Sequence, residues 1–241
     1  MAIIITIMTT LMGMTMITDR GLAALLAWTS PSYPVGAFSY SHGLEAAVEA
    51  GDVHDRATLV DYVGAVIARG GGWADLVVFA HGWRAARDPV AFDAVSDFAT
   101  AFRGSSETAL ESRQMGSSFL LVTRKAWPHP GLDAFAARLA GRPVSHAAAG
   151  ALACALHDVP LGAALIAWGH GTAANLVSAG VRLVPLGQTD GQLATAALMP
   201  VVEAATARAQ VTELDDLGTA APQLELASLA HEVQYSRLFR S

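Results

Sequence analysis

Apolar residues recur every three to four positions along most of this chain after residue 21, which is the spacing of amphipathic helices. The clearest stripe comprises Leu59, Val63, Val66 and Ile67, at relative positions i, i+4, i+7 and i+8. Asp55 stands just before this stripe, where a helix N-cap is expected. Strands need alternating β-branched residues, and the sequence contains no such stretch. The sequence therefore predicts an all-α fold.

Proline and glycine divide this pattern into about ten predicted helices. They span residues 21–28, 37–50, 56–69, 73–87, 90–103, 105–126, 131–140, 145–157, 160–182, 189–211 and 222–238. Thr189 and Gln192 have the spacing of a capping box at the start of the second-last helix. No internal repeat, linker or change of composition divides the chain. We therefore predict a single-domain helical bundle.

Charged residues make up only 15% of the chain, against about 25% in a typical soluble domain, while hydrophobic residues make up 53%. A membrane protein, a coat of small residues, or surface hidden against a partner would each explain this composition. The most apolar stretch, 161–186, is interrupted by His170, Asn175 and Arg182, so no membrane span of about 20 apolar residues is predicted. The 48 alanines, which tolerate exposure and favour helices, support the second explanation.

The first 20 residues are apolar but have no basic residue before Arg20 and no small-residue cleavage site, so they make a poor signal peptide. We predict that residues 1–20 are a disordered leader, or an upstream start that precedes the true domain. The single cysteine, Cys154, excludes an intrachain disulfide and suits a reducing compartment. A cytoplasmic location is expected.

The sequence lacks the residue patterns that nucleic-acid binding, a P-loop and a structural metal site require. The net charge is −6 and the 15 basic residues are scattered, which argues against a nucleic-acid partner. The only lysine, Lys125, follows no glycine-rich loop, so a P-loop is excluded. Cys154 and His157 are three apart on a predicted helix, but two ligands are too few for a structural metal site. A buried cysteine and a histidine at a helix end explain the pair better.

Three segments are richer in aromatic, polar and turn-forming residues than a helix bundle requires. They are Ser30–Glu45 (SPSYPVGAFSYSHGLE), Asn175–Gln192 (NLVSAGVRLVPLGQTDGQ) and His231–Ser241 (HEVQYSRLFRS). In the last, Tyr235, Leu238 and Phe239 would share one face of the predicted final helix, a composition typical of an interface anchor.

These three segments, in this order, resemble the UreF family of urease accessory proteins. Glu107–Gly116 (ETALESRQMG) is similar to the stretch that precedes a long central helix in that family. The resemblance covers about residues 21–241. It implies an all-helical homodimer that is a scaffold and not an enzyme. Such a scaffold binds UreH (also called UreD), recruits the GTPase UreG, and takes part in nickel delivery to apo-urease.

The resemblance also implies roles for individual residues. Residues 21–230 would form the helical domain, and 231–241 a partner-binding segment. The UreH-binding residues would be Tyr235, Arg237, Leu238, Phe239 and Arg240. The residues that shape the dimer or face UreG would be Pro31, Pro34, Gly36, Phe38, Ser39, Gly43, Leu44, Glu45, Gln188, Asp190 and Gly191. The chain would bind no cofactor itself, because nickel and GTP would be handled by its partners, and it would modulate GTP hydrolysis on UreG.

Two other functions stay open from the residues alone. The first is a helical enzyme or small-molecule-binding protein with its site near His42 and Glu45, which would need a pocket with convergent polar groups and shifted pKa values. The second is a nickel carrier that uses Cys154 and His157.

Overall fold

The computed structural model describes residues 16–241, and the regular secondary structure in this range is helical, with no strand. Its helices are α1 (Asp19–Trp28), α2 (Leu44–Glu49), α3 (Arg56–Arg69), α4 (Gly71–Ala85), α5 (Pro89–Ala101), α6 (Ser106–Ala126), α7 (Pro130–Leu139), α8 (His146–Leu156), α9 (Leu161–Leu183), α10 (Gln188–Ala209) and α11 (Pro222–Glu232). The all-α, single-domain prediction is confirmed. Most of the predicted leader, residues 1–15, lies outside the described residues.

Local sequence rules explain where the helices begin. The Asp55 carboxylate accepts the backbone N–H of Thr58 at 2.8 Å, and the Thr58 hydroxyl accepts the N–H of Asp55 at 3.1 Å. This reciprocal capping box confirms the predicted N-cap of α3. Ser105 and Thr108 form a second capping box before α6.

The core is built around α4, which packs against α3, α5, α8, α9 and α10. Its fully buried Phe79 lies against Trp168 of α9, with ring centroids 5.1 Å apart. Small residues let the helices approach closely: every alanine of α8 is buried. A Cβ on Gly116 of α6 would lie 2.2 Å from the carbonyl oxygen of Val144. Much of the alanine content therefore serves close helix packing as well as exposed surface.

One run in the described part of the chain, Arg56–Ala85, is long and apolar enough to cross a membrane by length and composition. It is not one helix, because Gly70 separates α3 from α4, and 67% of its most apolar window is buried inside the fold. Its hydropathy is therefore that of core helices.

Two predicted helices and one predicted capping box are wrong. The helix predicted over 37–50 is a 3-10 turn at Ala37–Ser39 followed by α2, because the backbone at His42 (φ 54°) and Gly43 (φ 75°) is left-handed. The final helix ends at Glu232 and does not reach residue 238. The capping box predicted at Thr189 is absent, since α10 begins at Gln188 without a side-chain cap.

Candidate functional site

The C-terminal tail, residues 233–241, folds back across α2 and α6 instead of continuing α11. The Phe239 side chain is buried in the main core cluster, and Ser241 is fully buried. Tyr235 and Leu238 are exposed. The predicted shared helical face is therefore wrong, because the tail is not helical and divides its apolar side chains between core and surface.

Glu45 holds the middle of the tail. It lies in the first turn of α2 and is only 8% exposed. Its carboxylate accepts the backbone N–H groups of Leu238 at 2.7 Å and Phe239 at 2.8 Å. Hydrogen bonds to an ionised carboxylate are about twice as strong as neutral ones. Glu45 therefore fixes the tail backbone at the point where Phe239 enters the core.

Glu107 holds the start of the tail. His231, at the end of α11, is fully buried, with Nδ1 2.6 Å from Glu107 and Nε2 3.3 Å from Glu45. Arg237 donates to the second oxygen of Glu107 at 2.6 Å. Glu107 therefore faces Arg237, whose charge offsets part of the cost of burying the carboxylate, and both Glu107 and Glu45 contact the His231 ring.

Glu111 holds the end of the tail. One carboxylate oxygen accepts the Ser241 hydroxyl at 2.7 Å, and the other lies 2.9 Å from Nε2 of His42. Burial lowers the pKa of His42, but the facing Glu111 carboxylate and the nearby Asp75 carboxylate together raise it more, so the net shift is upward. The Ser41 N–H donates to the main-chain oxygen of Ser241 at 2.9 Å. We call Glu45, Glu107 and Glu111 the carboxylate clasp.

Arg182, at the end of α9, connects the first motif to the tail. Its guanidinium lies 4.4 Å from the centre of the Phe239 ring and donates to the carbonyl oxygen of Phe38 at 2.9 Å. Arg240 donates its backbone N–H to Ser39 at 2.8 Å. The first and third motifs therefore form one surface.

The second motif includes this end of α9, with Arg182, and continues through a turn into α10. Gly191 packs against Val177 and Val181 of α9, where a larger residue would be tight. Asp190 accepts a hydrogen bond from Arg56 of α3 at 2.9 Å, and both side chains are partly exposed. This motif joins α10 to the bundle but makes no hydrogen bond to the tail among the described contacts.

The predicted site residues divide by exposure. Exposed are Pro31, Pro34, Phe38, Gln188, Tyr235, Arg237, Leu238 and Arg240; buried are Gly43, Leu44, Glu45, Gly191 and Phe239; Gly36, Ser39 and Asp190 are half-buried. The first group can contact another protein directly, whereas the second can act only by shaping what is exposed.

Comparison with known proteins identifies the family of this chain. The UreF family model matches residues 53–199. Three proteins named urease accessory protein UreF, from Granulibacter bethesdensis, Rhodopseudomonas palustris and Methylorubrum populi, are 48%, 50% and 48% identical to this chain, respectively. The alignments cover 92%, 92% and 90% of this chain and 95%, 92% and 97% of those proteins. The chain belongs to the UreF family.

Sequence reasoning missed two members of the carboxylate clasp in this UreF-family chain, since no carboxylate pair stood out from the sequence. Glu107 and Glu111 are four residues apart on one face of α6. Like charges at this spacing destabilise a helix unless cations lie nearby. The i, i+4 spacing of two glutamates was therefore the sequence signal that could have indicated cationic partners beside this face. The segment around them, predicted to precede the long helix, forms its first turns.

Cys154 and His157 have separate surroundings in the fold. Cys154 is fully buried, and burial raises the pKa of its thiol. The His157 ring packs 5.2 Å from Trp28, and its Nδ1 lies 2.9 Å from the carbonyl oxygen of Ala153. Within residues 16–241, no three His, Cys, Asp or Glu side chains are placed to hold a metal ion together.

Proposed function

We propose that this chain is a non-enzymatic scaffold that works in the cytoplasm as part of urease maturation. In this proposal it binds UreH, recruits the GTPase UreG, and supports nickel delivery to apo-urease, while nickel and GTP are handled by those partners. The name shared by its relatives, urease accessory protein, supports the general role.

One observation carries the proposal: an exposed apolar surface continues from α11 into the clasped tail. Leu226, Leu229 and Val233 are exposed at positions i, i+3 and i+7, and Tyr235 and Leu238 extend them. Apolar side chains at helical spacing usually face a core. A contiguous exposed apolar surface of this kind is typical of a protein interface. We assign it to UreH.

In this proposal the carboxylate clasp orders the part of this surface that lies in the tail. It holds the tail backbone through the N–H groups of Leu238 and Phe239, so Tyr235 and Leu238 are presented from a fixed chain. A pre-ordered interface loses less conformational entropy when it binds. The clasp therefore supports binding without touching the partner.

We assign the second copy of the chain and UreG to the surface of the first motif. Pro31, Pro34 and Phe38 are exposed there. Pro34, Ser39 and Arg240 line one open surface cleft. A cleft shared by the first motif and the tail would make UreG recruitment depend on tail order. Sedimentation velocity of the full chain tests the dimer, since a monomer at all concentrations would refute it.

Co-purification with UreH and UreG tests the proposed function. A double variant, Tyr235→Ala with Leu238→Ala, changes only exposed side chains. We expect it to weaken UreH binding at least about tenfold, because interface aromatics carry much of the binding free energy. Val211→Ala, an exposed apolar residue after α10, is the matched control and should bind normally.

Two outcomes would contradict the proposal. Failure of the wild-type chain to bind UreH or UreG, or to support nickel- and GTP-dependent urease activation in reconstitution, would refute the scaffold function. Unchanged UreH affinity in the double variant would refute the assigned surface alone.

A further inference from the structure

A cavity of about 100 Å³ lies between the loop that follows α1 and helices α4, α6, α8 and α9. Its wall includes His42, Arg103 and Glu111, but Glu45 is not part of it, because that carboxylate is committed to the tail. A cavity of about 150 Å³ holds benzene, so this one has room for a molecule of about four non-hydrogen atoms.

Unpartnered polar atoms are concentrated in this cavity. In the described part of the chain, six buried side-chain nitrogen or oxygen atoms have no hydrogen-bond partner in the protein. Four of them belong to cavity-lining residues: Trp28 Nε1, Arg103 Nε, Ser112 Oγ and His146 Nε2. Trp28 and Ser112 are more than nine-tenths buried, as is the Arg103 side chain. Native proteins rarely leave buried polar groups unpaired, so a cluster of four indicates that a bound molecule, water or a small ligand, supplies their hydrogen-bond partners.

The donors and acceptors define what this ligand must offer. The indole N–H of Trp28 and the Nε–H of Arg103 can only donate. Burial lowers the pKa of His146 to about 4, so its ring is neutral near pH 7. Neutral imidazole and the Ser112 hydroxyl can each donate or accept. A ligand that matches these groups offers acceptor oxygen lone pairs to Trp28 and Arg103 and can also present N–H groups.

The charges in the wall are already paired. Arg103 donates to Asp75 at 2.5 Å, and His42 lies 2.9 Å from Glu111. A bound anion would face the two carboxylates, whereas a bound cation would face Arg103 and the indole N–H. Both arrangements are unfavourable at low dielectric. The cavity therefore favours an uncharged ligand.

We propose that this cavity is a binding site for a small uncharged amide, whose carbonyl oxygen accepts from Trp28 and Arg103 and whose N–H groups face Ser112 and His146. Urea and acetamide have the required size and groups. The site is separate from the clasped tail, although Glu111 contributes to both.

The test uses the full-length chain and the indole ¹H–¹⁵N resonance of Trp28, assigned with Trp28→Phe. We expect urea and acetamide to shift this resonance saturably, with dissociation constants on the order of 1 mM for ligands of four atoms. Guanidinium has the shape of urea and acetate that of acetamide, but both are charged, so neither should produce a saturable shift.

Two variants locate the binding. Ser112→Ala removes one cavity group and should weaken amide binding about fivefold or more, since a hydrogen bond contributes on that order. Ser96→Ala removes a buried, unpartnered hydroxyl that does not line this cavity and should bind like the wild type. No saturable shift with either amide would mean that only water occupies the cavity and would overturn the proposal. Equal binding of guanidinium or acetate, or unchanged binding in Ser112→Ala, would also overturn it.

Discussion

Replacing Glu45 with glutamine tests whether the carboxylate clasp holds the tail. The substitution keeps the size of the side chain but removes its charge and replaces one acceptor oxygen with an NH₂ donor. In the wild type, both carboxylate oxygens accept from the tail, one from Leu238 N–H and the other from Phe239 N–H. The glutamine can keep at most one of these bonds, and that bond is neutral.

The expected loss follows from these two hydrogen bonds. A hydrogen bond to a charged group contributes about 1.5–3 kcal/mol, and a neutral one about 1 kcal/mol. Losing one charged bond and weakening the other amounts to about 3 kcal/mol. Because 1.4 kcal/mol corresponds to a factor of ten, the docked tail should become about 100-fold less favoured over the released tail. Since Glu45 is buried, solvent screening does not reduce this loss greatly.

Amide hydrogen exchange measures the effect directly. Protection of the Leu238 and Phe239 amides should fall by about two orders of magnitude in Glu45→Gln, while the amides of α4 keep theirs. Glu49→Gln is the matched control, because Glu49 is an exposed glutamate on the same helix. Its tail amides should exchange as in the wild type.

One result would refute the reasoning. If Leu238 and Phe239 remain as protected in Glu45→Gln as in Glu49→Gln, packing of the Phe239 ring alone holds the tail. The clasp would then have no role in ordering the proposed UreH surface.

Three further changes have defined outcomes. Phe239→Ala empties a core position, so we expect a loss of about 3–5 kcal/mol in unfolding free energy, capped by the free energy of tail docking and measured by chemical denaturation. Gly43→Ala should lower the melting temperature more than Gly51→Ala, because both have positive φ but only the first places a Cβ 2.7 Å from the Ser228 nitrogen. Burial lowers the pKa of His146 to about 4, below its unfolded value of 6.5. The contribution of neutral His146 to the free energy of unfolding is therefore fully present above pH 6.5 and falls by up to about 3 kcal/mol towards pH 4. In denaturation measured across this pH range, His146→Phe should flatten the dependence.

Local sequence rules predict those parts of the fold that depend on local contacts. The stripe that begins at Leu59 and the cap at Asp55 predict α3 nearly to the residue. The same rules fail at the last helix, where Tyr235 and Phe239 have helical spacing but the helix ends at Glu232. The carboxylate of Glu45, 193 positions before Leu238, takes the tail N–H groups. A single sequence does not reveal that a carboxylate so far away along the chain competes with a continued helix for these N–H groups.

The candidate site, like the fold, was predictable where it depends on local sequence and not where it depends on long-range contacts. The three motifs identify the surface, and in the structure Arg182 of the second motif contacts both Phe38 of the first and Phe239 of the third. The carboxylate clasp was not predicted as a unit, because its members look like ordinary helix glutamates until His231 and Arg237 are placed beside them. The cavity beside His42 depends on packing among several helices, which periodicity does not specify.

Buried and exposed residues of the tail would affect partner binding in two different ways, the first through tail docking and the second through direct contact. A partner that binds only the docked tail has an apparent dissociation constant equal to its intrinsic value divided by the docked fraction. If UreH is that partner, as proposed, a clasp variant such as Glu45→Gln weakens its binding only when the released tail becomes a substantial population. Loss of the exposed Tyr235 side chain instead weakens binding even when the tail stays fully docked. If Glu45→Gln reduces both amide protection and UreH affinity, while a Tyr235 variant reduces affinity alone, the clasp acts by ordering the interface and the exposed side chains act by contact.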